Sequence, residues 1–181
     1  DKPTIFVKRR WPTEDEAALS KYFIPTFNPS DTPLSTDEMA VGFASHDAIA
    51  PTVSDKICGD IIEAGAKGSG RLIANFGVGV NHIDLGAAAE AGIAVSNTPG
   101  VLTDATADLA LTLILMLTRR AGEGERELRS GSWDGWRPTH LMGRALQGKT
   151  LGIIGMGRIG KAVAHRAALG FGMDIVFQNR S

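Results

Sequence analysis

The stretch Thr150-Leu151-Gly152-Ile153-Ile154-Gly155-Met156-Gly157-Arg158-Ile159-Gly160 constrains this chain more than any other. A short apolar run meets a G-x-G-x-x-G turn, and a helical pattern follows from Ile159 to Leu169. Asp174 to Phe177 then reads as a second strand. Strand, glycine turn, helix and strand in this order open a dinucleotide-binding βαβ unit. Gly155 permits the tight turn, Gly157 lets the main chain approach a pyrophosphate, and Gly160 lets the helix pack against the strand. The amides from Met156 through Ile159 lie at a helix start, where unpaired N–H groups and the positive dipole end favour phosphate. Arg158 adds charge there. The competing readings are a glycine-rich turn in an ordinary α/β fold and a methyltransferase-type nucleotide site. The flanking strand and helix favour the dinucleotide.

The end of the second strand bears on which dinucleotide. A carboxylate about 20 positions after the glycines grips a ribose 2′-hydroxyl. This chain instead has Gln178-Asn179-Arg180-Ser181. A carboxylate beside a 2′-phosphate repels it by roughly 4 kcal/mol per charge pair at 4 Å and an effective dielectric near 20. Asn179 removes that repulsion, Arg180 is suited to pair with the phosphate, and Ser181 to hydrogen-bond it. The expectation is NADP(H), with NAD(H) as the second candidate. In the bland alternative, Arg180 is simply solvated.

Before residue 98 strands and helices alternate, which argues for a parallel sheet covered by helices. Strands are expected at Thr4–Val7, Asp47–Ala50, Arg71–Asn75 and Ile93–Val95. Helices are expected at Glu14–Tyr22, from Ser35 to Phe43, at Asp55–Ala64, and from Asp84 to Ala91. Ser35-Thr36-Asp37-Glu38 matches a capping box. Thr98-Pro99-Gly100 punctuates the pattern. A single long helix is expected from Asp104 to about Ser130, capped by Thr103 or Asp104, and a Trp-rich loop over Ser132–Pro138. The fold class is α/β, with two Rossmann- or flavodoxin-like lobes of parallel sheet. The expected division is 1–98 for a substrate-binding domain and 99–181 for the first part of a nucleotide-binding domain.

Of 181 residues, 43% are apolar and 22% charged, and the net charge is −1. No basic field argues for nucleic acid or an anionic membrane surface. The longest apolar run, Leu109 to Leu117, falls far short of the roughly 20 residues of a membrane span. The lone Cys58, expected inside a helix as a small apolar residue, cannot form an internal disulfide, which suits a reducing cytoplasm.

Asn75-Phe76-Gly77-Val78-Gly79-Val80-Asn81-His82-Ile83-Asp84-Leu85 resembles the carboxylate-binding turn of the D-isomer-specific 2-hydroxyacid dehydrogenases. Val95 to Gly100, then Thr103 to Asp108, is similar to that family's crossover into the cofactor domain, and Leu151 to Gly160 to its nucleotide turn. These matches span about residues 45–181 and keep the family's order. Ser132-Trp133-Asp134-Gly135-Trp136-Arg137-Pro138 most resembles the glyoxylate and hydroxypyruvate reductase branch.

The resemblance implies hydride transfer between a nicotinamide and C2 of a 2-keto or 2-hydroxy acid, in a homodimer. It implies that Val78 and Gly79 donate amides to the substrate carboxylate, with Gly77 and Gly79 supplying backbone freedom. Successive amides at such a turn form an anion nest. Thr106 matches a position at the nicotinamide end of the cofactor. Trp133 and Trp136 match a loop that crosses to a partner subunit, with residues 104–138 as the dimer region and His140 lining the partner's pocket. Burial of the two Trp within their own lobe is the rival reading.

The family's catalytic His, the carboxylate that holds it, and its Arg match nothing here, so no catalytic residue is assigned. His46, His82, His140 and His165 lie outside the family's catalytic context. The chain, which begins at Asp1, is expected to be trimmed and to be the N-terminal portion of a longer protein, inactive alone. The stretch Ala167–Met173 is expected to form a loop one residue longer than usual. A rival to a small-acid reductase is a dehydrogenase for a bulkier 2-keto acid, and a rival of another class is a non-catalytic NAD(P)-sensing interaction protein.

Overall fold

The computed structural model describes residues 1–180, which form two compact units divided after Pro99. In the first unit β1 (Thr4–Val7), β2 (Ile24–Phe27), β3 (Ala48–Ala50), β4 (Leu72–Ala74) and β5 (Ala94–Ser96) form one sheet in the order β2-β1-β3-β4-β5. Every pairing is parallel, with Ile5 opposite Ala48, Ile49 opposite Ile73, and Ile73 opposite Val95. Helices α1 (Thr13–Leu19), α2 (Thr36–Ala44), α3 (Gly59–Lys67) and α4 (Leu85–Glu90) connect these strands. A parallel sheet buried on both faces needs strands that are apolar throughout, and all three β3 residues are buried.

Strand β2 escaped the sequence reading because Pro25 interrupts it. A proline lacks the donor a central strand needs and is confined to edges. Here Pro25 pairs with Ile5 on the outer strand of the sheet. The predicted capping box is present: Ser35 Oγ accepts from the Glu38 amide at 3.2 Å, and Glu38 accepts from the Ser35 amide at 2.8 Å. Asp84 caps α4 through the Ala87 amide.

Helix α3 starts at Gly59, not at Asp55, and Cys58 is its N-cap rather than an interior residue. The reason is local competition. Asp55 is already engaged: its Oδ1 lies 2.6 Å from Lys8 Nζ, and its Oδ2 accepts from the Thr52 amide at 2.8 Å. Ile57 pairs as a bridge with Ile83, through Ile57 N to His82 O and Asp84 N to Ile57 O. A residue committed to that ladder cannot enter a helix. From there Ile57, Ile61, Ile62, Ile49 and Ile73 join Phe43 and Met39 in one core. Gly65 is required by space, since a Cβ there would meet the Phe43 ring at 2.4 Å.

In the second unit β6 (Thr150–Ile154) and β7 (Asp174–Gln178) pair in parallel around α7 (Arg158–Phe171). The expected long helix is two: α5 (Thr103–Thr118) and α6 (Ala121–Arg129). The break has a cause. The Arg144 amide donates to the Thr118 carbonyl at 2.8 Å, taking an acceptor the helix ladder would need. Arg120 then turns left-handed, with φ of 55°. Leu102, with no side-chain cap, is the N-cap of α5, so Thr103 and Asp104 are already in the first turn. The stretch read as a longer loop at Ala167–Met173 is mostly the last turn of α7, closed by Gly172 at φ 60°. Helices α5 and α7 bury Ala107, Leu111, Val163 and Ala167 together. Arg166 on α7 clamps them through Asp104 at 2.8 Å and Asp108 at 2.7 Å. Leu151, Ile153 and Ile175 face these helices, whereas Ile154 is 93% exposed and Val176 and Phe177 are exposed too.

The Lys8–Asp55 pair is 2% and 3% exposed and is the buried ion pair of the first unit. Removing one partner of such a pair strands the other charge. Lys8→Met is expected to lower the urea-unfolding free energy by about 3 kcal/mol, and adding Asp55→Leu to recover part of that loss.

Candidate functional site

The first candidate site is the corner after β4. Asn75 directly follows β4 and is 2% exposed. Its Nδ2 donates to two carbonyls, Gly77 O at 3.1 Å and Gly79 O at 2.9 Å. Its Oδ1 lies 3.0 Å from His82 Nε2. Asn97, just past β5, donates Nδ2 to Val78 O at 2.9 Å, and the Thr98 amide reaches Gly77 O at 3.0 Å. Three successive carbonyls are therefore held. A trans peptide points its N–H opposite to its C=O, so the Val78 and Val80 amides point away from Asn75 and the Gly79 amide points away from Asn97. Among the described residues, nothing accepts from the Val78 or Gly79 amide. Val78 is 40% exposed, and Gly79 is exposed.

The glycines of this corner act differently from the expectation. Neither Gly77 nor Gly79 has positive φ, so backbone freedom is not their contribution. At Gly77 a Cβ would meet Cγ1 of exposed Val53 at 2.6 Å, so a larger residue there requires Val53 to move. Gly79 leaves open room, with no atom within 4 Å of a Cβ position. Phe76 beside them is bridged to Thr52 and stacks on Trp11, with ring centroids 5.3 Å apart. Trp11 is held by its main chain, whose amide donates to Glu16 Oε1 at 3.0 Å. Arg10 grips the same carboxylate with two bonds, holding the Glu16 carboxyl below the ordinary carboxylate range.

The second candidate site is the glycine turn between β6 and α7. Gly155 has φ of 94°, a conformation that disfavours any residue with a Cβ. Its amide donates to Gln178 O at 2.9 Å, which ties the end of β7 to the turn. Gly157 is the N-cap of α7, and no atom lies within 4 Å of a Cβ position there. At Gly160 a Cβ would meet Gly155 O at 2.3 Å. Met156 is half-buried, and Arg158 and Ile159 are exposed in the first turn of α7. No side chain caps this helix end. Asn179 and Arg180 follow β7 and are exposed, while Ser181 lies outside the described residues. The turn thus has an open helix N-terminus of the kind that takes a phosphate. Thr106 is exposed in the first turn of α5, its amide donating to Leu102 O.

The Trp-rich loop lies against α6 at Glu127. Glu127 receives Arg137 at 3.8 Å and His140 at 2.8 Å, and Arg137 also pairs with Asp134. Trp133 is 52% exposed and Trp136 82% exposed, so neither is buried within its own unit. The other histidines are engaged or peripheral. His46 lies between Gly42 O and Thr26 Oγ1, and His165 is exposed on α7. Asn75 and Asn97 are not among the site residues expected from sequence, and His82 is expected there only to lie outside the family's catalytic context. The available signal was two asparagines flanking one glycine corner.

Comparison with known proteins gives the arrangement its relatives. The family model described as D-isomer specific 2-hydroxyacid dehydrogenase, catalytic domain, matches residues 5–179. A glyoxylate reductase of Thermococcus litoralis is 40% identical over 99% of the chain, which covers 55% of that protein. A glycerate dehydrogenase of Hyphomicrobium methylovorum is 41% identical over 91% of the chain, which covers 51% of that protein. Among solved structures, a Thermus thermophilus protein superposes with a TM-score of 0.89 at 40% identity, over 98% of this chain and 56% of that one. The 3-phosphoglycerate dehydrogenase of Entamoeba histolytica, solved with NAD+, gives 0.74 at 25% identity, over 99% of this chain and 55% of that one. The chain spans about half the length of the curated relatives it matches.

The two turn glycines separate stability from binding. Gly160→Ala drives a Cβ into a backbone oxygen and is expected to cost about 1–3 kcal/mol of folding free energy. Gly157→Ala, at φ −77° in open space, is expected to change stability by less than about 0.5 kcal/mol. Urea unfolding of both variants checks the contrast.

Proposed function

This chain belongs to the D-isomer-specific 2-hydroxyacid dehydrogenase family, and on that premise we propose that it carries the substrate and cofactor sites of an NADP(H)-preferring reductase. Its substrate is a small 2-keto acid, glyoxylate or hydroxypyruvate, and its product the D-2-hydroxy acid. The observation that carries this reading is the corner at Val78, Gly79 and Val80, whose amide directions are fixed by held carbonyls. Backbone N–H groups that need no reorganisation suit a carboxylate.

Residues 1–99 are the substrate-binding domain in this reading, and the unit from Gly100 onward belongs to the cofactor domain. Gly155, Met156, Gly157, Arg158, Ile159 and Gly160 hold the pyrophosphate, and Thr106 meets the nicotinamide end. The nicotinamide, when bound, supplies the hydride that goes to C2 of the keto acid. This chain's residues bind and orient: the cradle fixes the carboxylate, and the glycine turn fixes the diphosphate. The proton that balances the hydride is assigned to no residue of this chain. His46 and His82 are engaged in structural hydrogen bonds, which agrees with that.

The hydrogen bond from Gly155 to Gln178 brings the chain after β7 to the phosphate turn. That supports Asn179, Arg180 and Ser181 as the residues that meet a 2′-phosphate. Exposed Leu109, Leu113 and Leu117 recur every fourth residue along α5 and, with Trp133 and Trp136, support homodimerisation through residues 104–138. No helix among the described residues is long and apolar enough to cross a membrane. The single thiol supports a cytoplasmic setting.

The test follows absorbance of the reduced cofactor, using the full-length protein with glyoxylate or hydroxypyruvate. The expected result is oxidation of NADPH with a kcat/KM at least about tenfold above NADH. Asn179→Asp, which restores the repulsion, is expected to reverse that order. Faster NADH oxidation by the unaltered protein contradicts the NADP(H) reading, and no oxidation with any small 2-keto acid contradicts the reductase.

A further inference from the structure

Beyond the reductase reading, and resting on its carboxylate cradle, we propose that Asn75 and Asn97 are positioning residues for that cradle and that His82 holds Asn75 in place through its side-chain oxygen. An Asn side chain has two donors and one acceptor oxygen. Both donor directions of Asn75 are used on cradle carbonyls, Gly77 O and Gly79 O. Its oxygen meets His82 Nε2 at 3.0 Å. That contact holds only if Nε2 carries the proton, since two acceptors would repel. A flipped Asn75 would turn its oxygen onto two carbonyls and its amide onto His82. The two carbonyls, which can only accept, select this orientation of Asn75, and His82 Nε2–H reinforces it by donating to Oδ1. The histidine's own main-chain carbonyl accepts from Ile57 at 2.8 Å, which anchors the ring's position to the core.

Asn97 argues most directly for a role beyond stability. It is exposed, and it reaches across 19 positions of sequence to hold Val78 O. Val78 and Gly79 are exposed as well. A carbonyl at an exposed corner is satisfied by water, so folding does not require a side chain to hold it. What the two asparagines fix is direction. With the carbonyls of residues 77 to 79 held, the amides of residues 78 to 80 are aimed before any anion arrives. If a peptide of this corner rotated, it would present a carbonyl oxygen to an incoming carboxylate. The affinity of the cradle thus rests on side-chain amides as well as on main-chain ones.

The experiment measures oxalate, a two-carbon dicarboxylate, by isothermal titration against the full-length protein with NADPH bound, alongside KM and kcat for glyoxylate. Asn97→Ala removes an exposed side chain and is expected to leave the thermal midpoint near the parent value. Its dissociation constant for oxalate and its KM are expected to rise about three- to tenfold, while kcat at saturation changes less than about twofold. Asn75→Asp, which keeps the size and loses the donors, is expected to weaken both by about tenfold or more. His82→Gln, which can still donate, is expected to bind oxalate like the parent, whereas His82→Leu weakens it.

Unchanged oxalate affinity in Asn97→Ala and His82→Leu overturns the proposal, whether or not Asn75→Asp folds. So does a parent protein that binds no oxalate. A parent protein that shows the expected order of affinities but reduces no 2-keto acid leaves the positioning role standing and removes the reductase reading.

Discussion

Three peptide carbonyls, those of Gly77, Val78 and Gly79, are held by Asn75, Asn97 and the Thr98 amide. Because a trans peptide is planar, holding each carbonyl also fixes the direction of the amide that shares its peptide. The surrounding fold supports this corner. Strands β4 and β5 pair in parallel, with Ala74 opposite Ser96, so Asn75 and Asn97 leave the sheet side by side. Phe76 is tied to Pro51, and Val53 closes over Gly77. The turn that carries Thr52 and Val53 is held in turn by Asp55, and Asp55 by buried Lys8. Ligands of open α/β sheets lie beyond the carboxyl ends of the strands, and this corner lies there.

The glycine turn of the second unit uses the same chemistry with a different support. There the amides are aimed by a helix start rather than by asparagines. Gly155 supplies the left-handed residue, Gly160 the close approach, and Gly157 the open side. Arg166 fixes α7 against α5 through two aspartates, which holds the helix end in place.

The parts of the fold that were legible in the sequence are those set by near neighbours. Gly155 and Gly160 each answer a local demand, and Ser35 with Glu38 closes its own box. The same holds for the alternation of apolar strands and amphipathic helices. What was not legible depends on partners far along the chain. The split between α5 and α6 follows from Arg144 taking the Thr118 carbonyl. The late start of α3 follows from Ile57 pairing with Ile83 and from Lys8 engaging Asp55. Strand β2 is a strand despite Pro25 because it is an edge. In the candidate site Val78 and Gly79 were readable, but the reason their amides are available was not. That reason lies in side chains that bond to main chain across as many as 19 positions.

The central claim is that the Val78, Gly79 and Val80 amides are fixed in direction and ready for a carboxylate. The most direct measurement is the amide proton and nitrogen NMR spectrum of 15N-labelled full-length protein titrated with oxalate. Saturable downfield shifts at these three amides, larger than at any other amide of residues 1–99, are the predicted result. An unmoved Val78–Val80 set, with the shifts falling elsewhere or nowhere, would contradict the account.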